Sequence, residues 1–128
     1  HRWLEFRRVL FRSCIVIIDD NKRQLDGYTK DVINPFNIEA KMKAFGFNTQ
    51  TVKGNDLDAI DEAITKAKSV TDSAVCIVLD TIKGQGVKFF EELLDNHSVK
   101  FNTEEVNRAT DEAKASLKKE IEEEEQHV

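Results

Sequence analysis

The residues with the clearest chemical potential lie in Cys14 to Gly27, CIVIIDDNKRQLDG, where Asp19, Asp20 and Asn21 follow directly on an apolar run, with Lys22, Arg23, Leu25, Asp26 and Gly27 behind them. Such a loop can hold a hard cation. Mg²⁺ takes a few carboxylate or amide oxygens and completes its shell with water and phosphate oxygens, and a strand-end loop can offer a side-chain oxygen and a backbone carbonyl two residues apart. Taken alone, the same residues also describe an ordinary polar strand end, since Asp and Asn are common wherever strands stop. A second candidate is Ile82-Lys83-Gly84-Gln85-Gly86. Its glycines permit close backbone approach to a ligand, and Lys83 is a point charge suited to a diphosphate. The loop lacks the full spacing of a dinucleotide fingerprint or a P-loop, so by itself it reads as a solvated lysine in a glycine turn. His97 is the only histidine away from the two termini. It can donate to a phosphate or shuttle a proton near neutral pH, although a lone loop histidine is also a common surface residue.

The elements that must position these residues follow from pattern. Ile15–Ile18 is β-branched without alternation, which suits a strand buried on both faces, as in the centre of a parallel α/β sheet. Ligands in such sheets sit at the carboxyl ends of the strands. A polar link, residues 28–34, leads to a predicted helix with Asn34 as cap, Pro35 at its first position, Ile38, Met42 and Phe45 on one face and Gly46 at its end. Phe36, Met42 and Phe45 are expected in the core. A strand at 47–52 follows, then a Gly54-Asn55-Asp56 turn and a helix whose face is Leu57, Ile60, Ile64 and Ala67. A second buried-strand pattern covers 74–79. This order predicts an α/β fold with a parallel sheet and flanking helices. Residues 87–94 read as a short helix or turn packed through Phe89, Phe90, Leu93 and Leu94. Thr103 caps a last helix with the stripe Val106, Ala109, Ala113, Leu117 and Ile121. Its glutamate-rich end, 114–128, reads as a solvated and fraying charged tail, with His127 and Val128 disordered.

Composition allows one small domain of 128 residues, 40% hydrophobic and 34% charged. The net charge of −5 gives no electrostatic footprint for nucleic acid. No apolar run reaches the length of a membrane span. Cys14 and Cys76 both lie in apolar runs and read as small buried hydrophobes, which fits a cytoplasmic location. The first thirteen residues, HRWLEFRRVLFRS, stand apart: they carry four of the six arginines. A basic segment with interleaved aromatic residues can be a membrane-surface helix or a targeting peptide. However, LEFRRVLFRS resembles a translated sequencing adapter, so 1–13 is taken as a non-native leader and 14–113 as the α/β domain.

DDNKRQLDG resembles the second half of the thiamine diphosphate motif of transketolases, in which an Asp-x-Asn segment closes a stretch opened by Gly-Asp-Gly. Three further segments resemble the same family in the same order: GNDLDAIDEAITKAK its Gly-His-Asp turn and following helix, TIKGQGVKFFE its Thr-Ile-Lys-Gly-x-Gly-Val segment, and DNHSVKFNTEEV its Trp-His-Gly-Lys-x-Asn-Glu-Glu region. Together they cover about residues 14–113. The compact bacterial type, whose amino-terminal half is a separate subunit, is resembled most.

The resemblance implies a thiamine-diphosphate-binding fold with Mg²⁺ or Ca²⁺. It implies that the Asn21 amide and the Arg23 backbone carbonyl bind the metal, that Leu25 packs on the thiamine, and that Lys83 and His97 flank the diphosphate, His97 also serving catalysis. In this assignment the Arg23 side chain is free to vary. The implied partners are sugar phosphates and a carboxyl-terminal transketolase domain or subunit, in a homodimer of the complete enzyme, working in the pentose phosphate pathway. The sequence departs from the family at Asn96 and Ser98, which stand where tryptophan and glycine are commoner. It also lacks the Gly-Asp-Gly half, the upstream histidines and the second domain. The expectation is therefore a fragment of a transketolase, moving a two-carbon ketol unit between sugar phosphates in the whole enzyme and inactive alone. The alternatives are a non-catalytic α/β assembly module and a fragment of another thiamine-diphosphate enzyme.

Overall fold

The computed structural model describes residues 13–93, 96–98 and 103–126. Among them ten elements follow in order: strands β1 (Ile15–Asp20), β2 (Arg23–Gln24) and β3 (Gly27–Tyr28), helices α1 (Thr29–Val32) and α2 (Ile38–Ala44), β4 (Asn48–Lys53), α3 (Leu57–Lys68), β5 (Val75–Asp80), α4 (Lys88–Glu92) and α5 (Glu104–Glu125). Residues 1–12, which hold nearly all of the expected leader, lie outside the described residues, as do Leu94, His127 and Val128. Among the described residues no helix is long and apolar enough to cross a membrane.

The sheet is parallel, in the order β1-β5-β4. β5 holds the middle because Val75, Cys76, Ile77 and Val78 supply apolar side chains to both faces, and all four are buried. β1, expected at the centre, pairs only with β5 among the described residues, and its Ile17 is 53% exposed. The two runs are alike in residue type, so type alone does not say which of them takes the central place. The expected α/β class with a parallel sheet and flanking helices is the observed one.

Adjacent residues of β4 assign the layers. Gln50 Nε2 donates to the Ala63 carbonyl of α3 at 3.2 Å, while Thr51 Oγ1 donates to Glu39 of α2 at 2.5 Å. Neighbouring residues of a strand face opposite ways, so α3 and α2 cover opposite faces. On the α3 side, Ala63, Ala67, Val75 and Ile77 form the core, with Ile15, Val52, Ile64, Val70 and Leu79 packed around them. The alanines let α3 approach the sheet closely. Leu57, expected on that face, is 80% exposed, since it occupies the first helical position and precedes the first turn that meets the sheet.

Other expectations shift for local reasons. α2 begins three residues later than the Asn34-Pro35 signal, because Asn34 Oδ1 accepts from Phe36 N in a turn and Asn37 is the residue that caps, accepting from Ala40 N at 2.8 Å. Phe36 then takes a positive φ of 51° outside the helix, and Phe45 closes it as C-cap. Both are 76% exposed, so neither is core, and only Met42 of the three expected is half-buried. Cys14 lies before β1 and is exposed, whereas Cys76 is fully buried and burial raises its thiol pKa. The Asp56 cap of α3 and the Thr103 cap of α5 form as expected. α5 continues to Glu125 with Val106 and Ala109 buried and Leu117 and Ile121 about half exposed. The small β2–β3 ladder forms within the expected strand-end loop, and the single turn of α1 lies where only a polar link was expected.

Two predictions follow from this packing. Ile77→Ala should destabilise the chain by roughly 2–5 kcal/mol, the range for truncating a buried branched side chain. A urea midpoint unchanged from the parent would refute it. Hydrogen bonds from Lys43 and Thr51 hold the Glu39 carboxyl below its ordinary pKa of 4.5. A carboxylate with a lowered folded pKa binds fewer protons when folded, so its contribution is complete above 4.5 and disappears as pH falls through the folded value. Glu39→Gln should lower stability at neutral pH and flatten the acid limb of the stability profile, and parallel profiles for the two proteins would contradict this.

Candidate functional site

The carboxyl ends of β1 and β5 finish level, because the register pairs Asp19 with Leu79 and Asp20 with Asp80. The loops that follow, residues 21–22 and 81–87, therefore open on one rim, and Lys53 of β4 ends beside Asp80.

Three carboxylates crowd this rim, and each has a partner. Lys22 bridges Asp20 and Asp80, the second at 2.9 Å. Burial opposes its charge, but the hydrogen bonds and charges of the two aspartates outweigh that and raise the lysine's pKa. Asp19 accepts from Asn21 Nδ2 at 2.9 Å and from the Thr81 hydroxyl, joining the two strand ends through side chains. Asn21 Oδ1 accepts from Arg23 N at 3.0 Å, and Lys22 adopts a positive φ of 64°. The loop then turns back, with the Lys22 carbonyl accepting from Thr29 N at 2.9 Å. Leu25 sits in the β2–β3 turn, 64% exposed.

The second loop is shaped by its glycines. Gly84 has a φ of +82°, and a Cβ there would lie 2.8 Å from the Phe90 backbone. The loop is consequently pressed against α4, and the Gly86 amide donates to Glu91 Oε1 at 2.8 Å. Lys83 Nζ lies 3.4 Å from His97 Nδ1. An ammonium can only donate, so a hydrogen bond here takes Nδ1 as its acceptor, and a neutral ring accepting it would carry its proton on Nε2, a donor for an anion. Of the residues singled out in the sequence, Asn21 and Arg23 lie at the first rim loop, and Lys83 and His97 meet at the second.

Sequence reasoning passed over several residues here. The Arg23 side chain, thought free to vary, is engaged: Nη1 donates to the Leu93 carbonyl at 2.5 Å and Nη2 to the Glu91 carbonyl at 2.6 Å, with the guanidinium 4.9 Å from the Tyr28 ring centre. Asn96 Nδ2 donates to the Phe90 carbonyl at 2.7 Å and the Lys83 carbonyl at 3.3 Å. Gly54 approaches Thr81 so closely that a Cβ would lie 2.1 Å from its methyl. The Gly54 turn was legible, but its packing against Thr81 was not. Residues this far apart in the chain leave no signal in local pattern.

Gly84→Ala and Gly86→Ala separate strain from collision. Both positions have positive φ, which costs roughly 1–3 kcal/mol for an L side chain. Only at Gly84 would the new methyl also strike a neighbour, whereas Gly86 has nothing within 4 Å. Gly84→Ala should therefore lower the urea midpoint by clearly more than Gly86→Ala. Equal losses would show that the contact with Phe90 does not matter.

Comparison with known proteins shows the family of this chain. The family model described as "Transketolase, thiamine diphosphate binding domain" matches residues 9–123. The chain is 42% identical over 107 residues to a 6-deoxy-6-sulfo-D-fructose transketolase subunit of Clostridium sp. (strain MSTE9), covering 83% of this chain and 37% of that protein. It is 31% identical over 102 residues to an apulose-4-phosphate transketolase subunit of Actinobacillus succinogenes, covering 80% and 37%. It is 41% identical over 69 residues to a transketolase of Staphylococcus aureus (strain MW2), covering 53% and 10%. The chain thus spans little more than a third of the length of the two subunits. On the match that runs through both rim loops and nearly the whole described chain, it belongs to the transketolase family, within the thiamine diphosphate binding domain.

Proposed function

We propose that this chain forms the carboxyl-terminal part of the cofactor domain of a transketolase, and that its rim binds the diphosphate end of thiamine diphosphate through a divalent metal. The observation that carries this reading is the level ending of β1 and β5, which opens the Asn21 and Lys83 loops on one rim with His97 against Lys83.

The donor set fits part of such a site. An amide oxygen has two lone pairs, so Asn21 Oδ1 can keep its bond to Arg23 N and still ligate Mg²⁺. The Arg23 carbonyl is the proposed second ligand. Among the described residues no group of three His, Cys, Asp or Glu side chains is placed to hold a metal. A metal at Asn21 therefore draws its remaining oxygens from water, from the diphosphate and from the Gly-Asp-Gly segment of the family. Lys83 contributes positive charge and the His97 Nε2 proton a directed hydrogen bond, both toward phosphate oxygens. Leu25, already exposed in its turn, offers an apolar contact to the thiamine. The cofactor, when bound, supplies the carbanion chemistry that lets a two-carbon ketol unit be moved.

The substrates proposed are ketoses bearing an anionic group: sugar phosphates, or a sulfonate analogue such as the one in a relative's name. The partner proposed is a carboxyl-terminal transketolase domain or subunit, in keeping with the relatives named as subunits, with two copies in the complete enzyme.

The chain alone should bind thiamine diphosphate and Mg²⁺ weakly and give no ketol transfer. With the Gly-Asp-Gly segment and the partner restored, Mg²⁺-dependent cofactor binding should appear. Asn21→Ala and Lys83→Met should each then weaken it about tenfold or more, as expected for losing a metal ligand or a charge-assisted bond, with circular dichroism unchanged. Turnover by the isolated chain, or unaltered binding in both variants, would overturn the assignment.

A further inference from the structure

The last turn of a helix leaves carbonyls without intrahelical partners, and α4 ends beside both rim loops. Three of its terminal carbonyls accept side-chain bonds from outside the helix. Phe90 O takes Asn96 Nδ2, and Glu91 O and Leu93 O take the two arms of the Arg23 guanidinium. A planar guanidinium spans two carbonyls in a way an ammonium does not, and its charge complements the negative end of the helix. The same Asn96 amide also holds the Lys83 carbonyl, and the residue after Asn96 is His97. Among the described residues Asn96 Oδ1 is buried without a hydrogen-bond donor, so this side chain is turned into the protein and its contacts with Phe90 and Lys83 are made by the donor end.

The geometry points to Arg23 and Asn96 as paired positioning residues: both clamp the carboxyl end of α4, so that this short helix couples the Asn21 loop to the Lys83–His97 loop and fixes their spacing. The inference rests on reading the rim as the cofactor site, and it assigns roles that the ligand set itself does not contain. Arg23 then carries two functions on separate atoms, its carbonyl as the proposed metal ligand and its guanidinium setting the loop. Asn96, which stands where the family commonly has tryptophan, acts by hydrogen bonding at a place where an indole would act by bulk.

Residue-resolved amide hydrogen exchange on the unliganded chain, and on the complete enzyme with and without saturating thiamine diphosphate and Mg²⁺, tests this. In the unliganded chain, Arg23→Ala should speed exchange about tenfold in residues 89–93 and also in the distant loop 83–86, while the amides of β5 stay unchanged. Arg23→Lys, which retains the charge and one donor direction, should fall between. Asn96→Leu should loosen the same two segments together with residues 22–24. Because the two residues share one clamp, the double variant Arg23→Ala/Asn96→Leu should loosen the loops by less than the product of the single effects. Effects confined to each residue's own loop, multiplicative effects in the double variant, or faster exchange in β5 would each overturn the inference. The liganded arm keeps the two readings apart. If cofactor and metal leave exchange in the parent rim untouched in the complete enzyme, the site assignment fails while the unliganded data still decide the clamp.

Discussion

Everything at the rim depends on β5 being bonded in register along both edges. Parallel strands offer evenly spaced, slanted bonds, and a strand paired on both sides must bury both faces. Val75 to Val78 meet that demand with four buried apolar residues. Once β5 is fixed, β1 and β4 end level with it at Asp20, Asp80 and Lys53, and the loops beyond them have a common floor. A register slip of one residue would turn Ile77 from the α3 face and undo the level ending of the three strands. The site is therefore specified by hydrophobic burial several residues away from any polar group that could touch a ligand.

That arrangement carries an electrostatic cost which the rim itself offsets. Bringing two strand ends together puts Asp19, Asp20 and Asp80 side by side, and like charges in close pairs are unfavourable. Lys22 answers two of them, and the Thr81 hydroxyl and the Asn21 amide answer the third. These neutralising contacts also aim the chain. With its amine drawn back to the strand ends and its backbone at positive φ, Lys22 turns the following residues outward, and Arg23 reaches α4. Charge pairing and loop direction are here one device.

Much of this was legible in the sequence, and what was not has identifiable causes. The two apolar runs, the Asp56 and Thr103 caps and the order of strands and helices are local signals, and they appear in place. The family resemblance drawn from four ordered segments agrees with the match over residues 9–123. The position of β1 in the sheet was not legible, because a buried run does not say how many of its edges are paired. The α2 start was displaced because Asn34 and Asn37 compete as turn and cap, and only backbone geometry chooses between them. Phe36 and Phe45 were expected in the core yet point to solvent, since one precedes the helix and the other closes it. The Arg23 and Asn96 contacts were hidden for different reasons: Arg23 finds partners 68 and 70 residues away, and Asn96 was read only as a departure from a family pattern.

The exposure of the rim constrains what it can do. His97 is exposed, and Lys22 and Asp80 keep 49% and 58% of their side-chain surface in contact with solvent. Charges in such surroundings interact through a high effective dielectric and contribute little, whereas the same groups covered by protein act far more strongly on an anion. A diphosphate held by Lys83 and His97 would be bound firmly only if something excluded water from above the rim. Exposed apolar residues follow the first loop along the chain, with Leu25 at 64%, Ile33 at 77% and Phe36 at 76%. Apolar surface beside a polar rim is the composition of a seam that another protein surface closes. Under the proposed function, covering it would bury those residues and desolvate the rim in the same step, and so tie the affinity of the site to assembly of the enzyme.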